Sequence, residues 1–281
     1  MTATYETVTF ENGTSSLKVA ATGQMMHSRI GPWEEANQIY IQQSLLREKI
    51  MEKSKTALVL HDVGLGIAAN ALAAIACAES LPASSRRVLH IISFETDPSA
   101  LALALDQSSK FEFLIPKREA LRALLKTGNW QSSDGKIRWS LISSDYRLSM
   151  KSAPSPEIIY FDFYAPQTCP DLWGLQIFKN IYESTLPLRN QKIPTRLATY
   201  SAATPVRVAL LLAGFYVGYG TSTGIKSETT LASTHLSDLE QPLGSEWLAK
   251  LERSEAPVPY GWNPERAQEA HSRILTCGQF V

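Results

Sequence analysis

Asp62-Val63-Gly64-Leu65-Gly66-Ile67-Ala68-Ala69-Asn70 is the stretch whose reading decides the fold. It closes an apolar run of buried-strand length, Ala57-Leu58-Val59-Leu60-His61-Asp62, and opens an alanine-rich helix expected from about Ile67 to Ser80. Two glycines one residue apart permit a tight turn and let a ligand approach the backbone closely. The helix amides behind them favour an anionic group. A strand, a glycine turn and a helix in that order are the opening unit of an α/β sheet.

The same alternation continues down the chain. Strands are expected over 88–94, 137–143, 157–161, 196–200 and 216–219, and helices over 101–105, 118–126, 173–185 and 205–213. Such a pattern predicts a mostly parallel, doubly wound sheet covered on both faces. Upstream, residues 1–32 read as short strands and turns, with Asn12-Gly13 as a hairpin turn. Glu34 to Met51 has helical spacing, with Ala36, Ile39, Tyr40, Leu45, Leu46 and Ile50 as its apolar positions. The expected division is a packing segment over 1–54, a ligand-binding core over 55–232 and a carboxyl-terminal extension over 233–281.

Ligands in such sheets sit outside the carboxyl ends of the strands. The candidate polar residues fall at those ends: Asp62, Glu95, Asp145 and Asp162. The glycine turn also fits G-x-G-x-x-A, and an acid at Glu95 suits ribose hydroxyls in either case, so this motif leaves a dinucleotide and S-adenosyl-L-methionine both open. An acid two residues before the first glycine suits a cationic ligand better than a pyrophosphate. Asp145, after the third strand, is placed for an adenine amino group. Asp162, in Ile158-Ile159-Tyr160-Phe161-Asp162-Phe163-Tyr164-Ala165-Pro166, is placed beside a reacting group.

Composition narrows the partners. Lys and Arg number 27 and Asp and Glu number 27, so no global field draws the chain to nucleic acid. Hydrophobic residues are 44% of the chain, enough for a sizeable core. Cys77, Cys169 and Cys277 are odd in number and widely spaced, which indicates neither a zinc site nor a disulfide framework. A polar start and the lack of a long apolar run fit a cytoplasmic protein.

Asp162 to Trp173, DFYAPQTCPDLW, resembles the D-A-F-A-P-x-x-N-P-x-x-W pattern of the methyltransferase domain of the MnmC family, which modifies the tRNA wobble uridine. Further stretches resemble the family in its own order. DVGLGIAAN (62–70) is similar to E-L-G-F-G-T-G-L-N, and LATYSAA (197–203) to L-A-T-F-T-A-A. Val206-Arg207 with Ala213-Gly214-Phe215 is similar to V-R-x-x-L-x-x-A-G-F, and Gly224-Ile225-Lys226 to part of G-F-G-x-K-R. MHSRIGPWEEA (26–36) resembles a stretch of the family's stand-alone members.

The resemblance implies a class I, Rossmann-like methyltransferase that uses S-adenosyl-L-methionine and methylates the aminomethyl group of 5-aminomethyl(-2-thio)uridine. It implies tRNA as partner, with a separate FAD-dependent oxidase or upstream wobble-uridine enzymes supplying the substrate. Cofactor contacts are expected from Asp62, Gly64, Gly66, Asn70, Glu95, Asp145 and Asp162, and catalytic roles from Asp162 and Tyr164. His27, Trp173, Arg207 and Lys226 are candidate substrate contacts. The blander alternatives are a hydrogen-bonded structural histidine, a packing tryptophan and solvated surface cations. Three departures stand out: Asp62 for Glu, Thr168-Cys169-Pro170 for x-Asn-Pro, and Ser227 for Arg. They leave two alternatives, a methyltransferase for a small-molecule amine and a non-catalytic module that keeps the fold.

Overall fold

The computed structural model describes residues 4–221 and 228–281, and it divides into two compact units, residues 1–149 and 150–281. The fold is mixed α/β, with a central, mostly parallel sheet of eight strands, as the alternating pattern requires.

In the first unit, β1 (Tyr5–Thr9) and β2 (Ser15–Val19) form an antiparallel hairpin. Gly13, at φ +83°, occupies the turn, and Asn12 Oδ1 accepts the Thr14 amide at 3.1 Å. β3 (Leu58–Val63), β4 (Leu89–Phe94), β5 (Asn129–Gln131) and β6 (Ile137–Ile142) follow, in the spatial order β5-β6-β4-β3. β3, β4 and β6 are mutually parallel, and β5 is antiparallel to β6. The helices Ala69–Glu79, Ser99–Asp106 and Arg118–Thr127 lie between the strands in sequence.

The helix expected over 34–51 is broken. Pro32–Glu35 is α-helical, Ala36–Ile41 is a π-helical turn, and Leu46–Met51 is α-helical again after Leu45 at φ +52°. The π turn shifts the side-chain phase, so Ala36, Ile39, Tyr40, Leu46 and Ile50 are all buried while Leu45 is only half-buried.

In the second unit, β7 (Ile158–Phe161), β8 (Arg196–Thr199), β9 (Tyr216–Gly220) and β10 (Thr229–Ser233) run in the order β7-β8-β10-β9. β7 and β8 are parallel; β10 is antiparallel to both β8 and β9. The helix Leu175–Ser184 links β7 to β8, and Thr204–Ala213 links β8 to β9. Gly214, at φ +112°, ends the latter helix, and a Cβ there would stand 2.9 Å from the Tyr182 ring.

β10 has no counterpart in the expected strand set. Its sequence, Thr-Thr-Leu-Ala-Ser, is buried throughout yet carries three hydroxyls, so neither an alternating nor an apolar pattern marks it. Those hydroxyls are used inside the fold. Thr229 Oγ1 donates to the Thr221 carbonyl, and Ser233 Oγ donates to Asp238 Oδ2 at 2.8 Å.

β9 is sealed on its other side by later chain. Val217 donates its amide to Gln279 Oε1 at 2.7 Å, and Gln279 Nε2 donates to the Val217 carbonyl at 2.7 Å. The Tyr219 amide donates to the Gln241 carbonyl, and the Leu243 amide to the Val217 carbonyl. Backbone groups that would otherwise form an open strand edge are thereby paired. Among the described residues, no helix is long and apolar enough to cross a membrane.

Candidate active site

Because β3, β4 and β6 are parallel, their carboxyl ends share one edge of the first unit. Asp62 is the penultimate residue of β3, Glu95 directly follows β4, and Asp145 lies three residues beyond β6. The expected acids of this unit are therefore on one side of the sheet.

The turn between β3 and its helix has an alternating backbone. Gly64 has φ +90°, Gly66 φ +51° and Ala68 φ +66°. The third glycine of the family pattern thus falls on an alanine that keeps the left-handed conformation. The turn is held by Gly64 N–H donating to the Phe94 carbonyl and Ala68 N–H donating to the Leu65 carbonyl. A Cβ at Gly66 would stand 3.2 Å from Met26 Cε, so the segment that carries His27 packs on this turn. Asn70 is buried in the first turn of the helix.

Glu95 is tied to the same turn. Its Oε2 accepts the Gly66 amide at 3.4 Å and its Oε1 accepts the Asp97 amide at 3.0 Å. Burial pushes the Glu95 carboxyl up from its ordinary value; the backbone donors Asp97, Gly66 and Thr96 oppose this, and the Asp97 charge adds to it. A partly desolvated carboxylate is a strong acceptor for hydroxyl groups of a ligand.

Asp62 is 1% exposed, and its Oδ2 accepts the Ser93 hydroxyl at 2.7 Å. Asp145 is clamped by its neighbour: Arg147 Nε lies 3.0 Å from each carboxylate oxygen, and Nη2 donates to Oδ2 at 2.5 Å. The Arg147 hydrogen bond holds the Asp145 carboxyl below its usual range, against a smaller effect of burial. Tyr146 anchors this bend. Its hydroxyl meets His61 Nδ1 at 3.1 Å, and its ring packs edge-on to Phe94.

His27 is half-buried, with Nδ1 3.4 Å from Ser16 Oγ and its own amide donating to that oxygen. Burial lowers its pKa, partly offset by the Glu35 charge.

In the second unit Asp162 directly follows β7, and the next two residues are pinned by aromatic donors. Trp173 Nε1 donates to the Tyr164 carbonyl at 2.8 Å, and the Tyr200 hydroxyl donates to the Phe163 carbonyl at 2.9 Å. Trp173 is 0% exposed and packs edge-on to Phe161 and Tyr200, with centroids 5.0 and 5.7 Å apart. The side chains of Asp162 and Tyr164 are half-buried. Tyr200 was not among the expected site residues, although it stands inside the quoted LATYSAA stretch at the end of a strand parallel to β7.

Arg207 is 3% exposed. Its Nε donates to Thr230 Oγ1, its Nη2 to Glu228 and the Thr229 carbonyl, and its guanidinium lies over the Tyr219 ring. Lys226 lies outside the described residues. No group of three or more His, Cys, Asp or Glu that suits a metal ion occurs among the described residues.

These features fit S-adenosyl-L-methionine: a turn with glycines at 64 and 66 ahead of a helix amino end, a buried acid near the end of β3, and a desolvated acid just after β4. Residues 116–235 match the model of a family described as S-adenosyl-L-methionine-dependent methyltransferase. That match includes Asp145, Asp162 and Trp173 but not the glycine turn.

An uncharacterised protein of Methanocaldococcus jannaschii is 27% identical over 222 residues, which cover 79% of this chain and 57% of that protein. The tRNA 5-methylaminomethyl-2-thiouridine biosynthesis bifunctional protein MnmC of Polaromonas naphthalenivorans is 26% identical, over 69% of this chain and 30% of that protein. The chain thus spans little more than half of one curated relative and under a third of the other. Among solved structures, MnmC2 of Aquifex aeolicus has a TM-score of 0.70 at 21% identity, over 99% of this chain and 86% of that one. A spermidine synthase of Thermotoga maritima reaches 0.53 at 11% identity, over 100% and 83% of the two chains. These two likenesses concern the fold. Residues 116–235 are thus similar to an S-adenosyl-L-methionine-dependent methyltransferase family, and the chain as a whole is similar to the methyltransferase part of MnmC.

Proposed function

We propose that this enzyme N-methylates the primary amine of 5-aminomethyl(-2-thio)uridine at the tRNA wobble position, in the cytoplasm. The observation that carries the reading is the pinned loop after β7. Asp162 starts it, and the two carbonyls that follow are fixed by Tyr200 and Trp173. The names of the MnmC relatives place them in biosynthesis of 5-methylaminomethyl-2-thiouridine in tRNA, and the stretches that resemble the family include this loop.

In this reading the core over residues 55–232 carries the chemistry, and the segments 1–54 and 233–281 support it. Gly64, Gly66 and Asn70 hold the carboxylate end of the cofactor, Asp62 faces its cation, Glu95 takes the ribose hydroxyls and Asp145 the adenine amino group. The bound cofactor supplies an electrophilic methyl carbon on sulfur.

Asp162 accepts a hydrogen bond from the substrate amine, aims its lone pair and stabilises the ammonium product. Its carboxylate, or water beside it, takes the proton that leaves when the methylated amine returns to neutral. Alignment of this kind contributes roughly 7–11 kcal/mol of barrier lowering. Tyr164 gives the base an aromatic wall. His27 borders the substrate, Trp173 acts from behind by holding the Tyr164 carbonyl and not as the substrate contact expected from the sequence, and a separate FAD-dependent oxidase or an earlier wobble-uridine enzyme provides the free amine.

A second reading, methylation of a small-molecule amine, is favoured by Arg207. Its guanidinium is buried and engaged by Glu228, Thr229 and Thr230 rather than turned outward to a phosphate. Labelled methyl incorporation into tRNA from a strain that lacks the modification separates the two readings. Incorporation at the wobble position supports the first; transfer to small amines alone overturns it. Asp162→Ala is expected to lower turnover by about 10²–10⁴-fold with an unchanged circular dichroism spectrum. Wild-type turnover in that variant would remove Asp162 from the mechanism.

A further inference from the structure

Behind Asp62 lies a buried chain of polar groups that the roles above do not use. Trp139 Nε1 stands 2.9 Å from Ser93 Oγ, and Ser93 Oγ stands 2.7 Å from Asp62 Oδ2. All three residues are buried, Trp139 and Ser93 completely. The sheet register creates the chain. Asp62 pairs with Ser93 across β3 and β4, so both side chains leave the same face. Trp139 pairs with Ile91 across β4 and β6, which places its indole on that face, two residues from Ser93.

We infer that Ser93 and Trp139 are positioning residues for Asp62, and that they fix the plane of its carboxylate before the cofactor binds. The polarity follows from the donor inventory. An indole N–H only donates, so Ser93 Oγ must accept from Trp139. The single hydroxyl proton of Ser93 is then directed at Asp62 Oδ2, which accepts it at 2.7 Å. Reversal of the chain would turn the Ser93 proton away from Oδ2 and require another acceptor for it in a dry site. Without Trp139 the hydroxyl rotor is free; with it, only one rotamer satisfies both neighbours. Aspartate also has one rotatable bond fewer than the glutamate of the family pattern, and the relay restrains those that remain.

This inference rests on the reading of Asp62 as a cofactor contact, and the test keeps the two apart. S-adenosylhomocysteine affinity is measured by calorimetry for the wild type and for Asp62→Asn, Ser93→Ala, Ser93→Thr and Trp139→Phe. Alongside, the Trp139 indole ¹H–¹⁵N resonance is followed through the titration.

Ser93→Ala is expected to weaken binding by about tenfold or more, the size associated with a hydrogen bond to a charged group. Ser93→Thr restores the hydroxyl and most of the affinity, and Trp139→Phe gives a smaller loss because Ser93 still donates. Turnover at saturating cofactor stays near wild type in all three, so the effect appears in KM and not in kcat. The indole resonance moves with ligand in the wild type and ceases to move in Ser93→Ala.

Wild-type affinity in Ser93→Ala beside a large loss in Asp62→Asn overturns the relay. Unaltered affinity in Asp62→Asn overturns the cofactor role of Asp62 instead. Should Ser93→Ala fail to fold, the Trp139→Phe affinity and the wild-type resonance decide: no loss and no movement count against the inference.

Discussion

Ala68 holds a left-handed backbone at a position where a side chain is normally excluded, and its energetics explain how. The conformation costs about 1–2 kcal/mol for a residue with a Cβ. Replacing it with glycine would remove that cost but also lose a fully buried methyl, worth about 0.8 kcal/mol. The glycine would add about 0.4–1 kcal/mol of unfolded-chain entropy. The opposing effects nearly cancel, so Ala68→Gly is expected to shift Tm by no more than about 3 °C in either direction. Ala68→Val, β-branched at positive φ, is expected to lower it well beyond that. Scanning calorimetry of the two variants checks both. A large destabilisation by glycine would mean that the methyl fills space the turn depends on.

At the scale of elements, the loop after β7 owes its shape to two donors from different places, the start of the next helix and the end of β8. Trp173→Phe keeps the ring but removes the indole N–H, leaving the Tyr164 carbonyl without that partner. It is expected to cost about 1–3 kcal/mol of stability. If Asp162 acts as proposed, kcat falls more than cofactor affinity; single-turnover rates with parallel S-adenosylhomocysteine titrations would show the split.

β3, β4 and β7 were legible in the sequence because each is a short apolar run with an acid at or just after its end. Tyr200 and Ser93 were not, because their importance comes from register: which residue of one strand stands opposite which residue of another. β10 was hidden for a different reason. Its hydroxyls make a buried strand read as a loop. The break at Leu45 was hidden because apolar residues continue through the π turn, and a spacing rule built on 3.6 residues per turn reads straight across it.

For the molecule as a whole, acid stability is set partly by histidines held neutral. Burial lowers the pKa of His27, against a smaller opposing effect of Glu35. It also lowers that of His90, where the Arg138 charge acts in the same direction. In both cases the unfolded chain binds a proton more readily than the folded one. Their stabilising contribution is therefore full above the ordinary value of 6.5 and is lost as pH falls through it towards the lower folded values. Glu95 acts in the opposite sense: its raised pKa makes the folded state the better proton acceptor, so acidification towards 4.5 favours folding there. Melting temperature is expected to drop between pH 7.5 and pH 5.5, and His27→Gln to flatten the slope. An unchanged slope in that variant would exclude His27 as a contributor.

The seal on β9 has a temporal consequence. The amide and carbonyl of Val217 are paired by the side chain of Gln279, 62 positions later. During synthesis that strand therefore emerges before its seal: residues 241–243 can pair the Tyr219 amide and the Val217 carbonyl, but the Val217 amide waits until the glutamine has left the ribosome. In that interval the nascent chain is open to pairing with a neighbour on the same message.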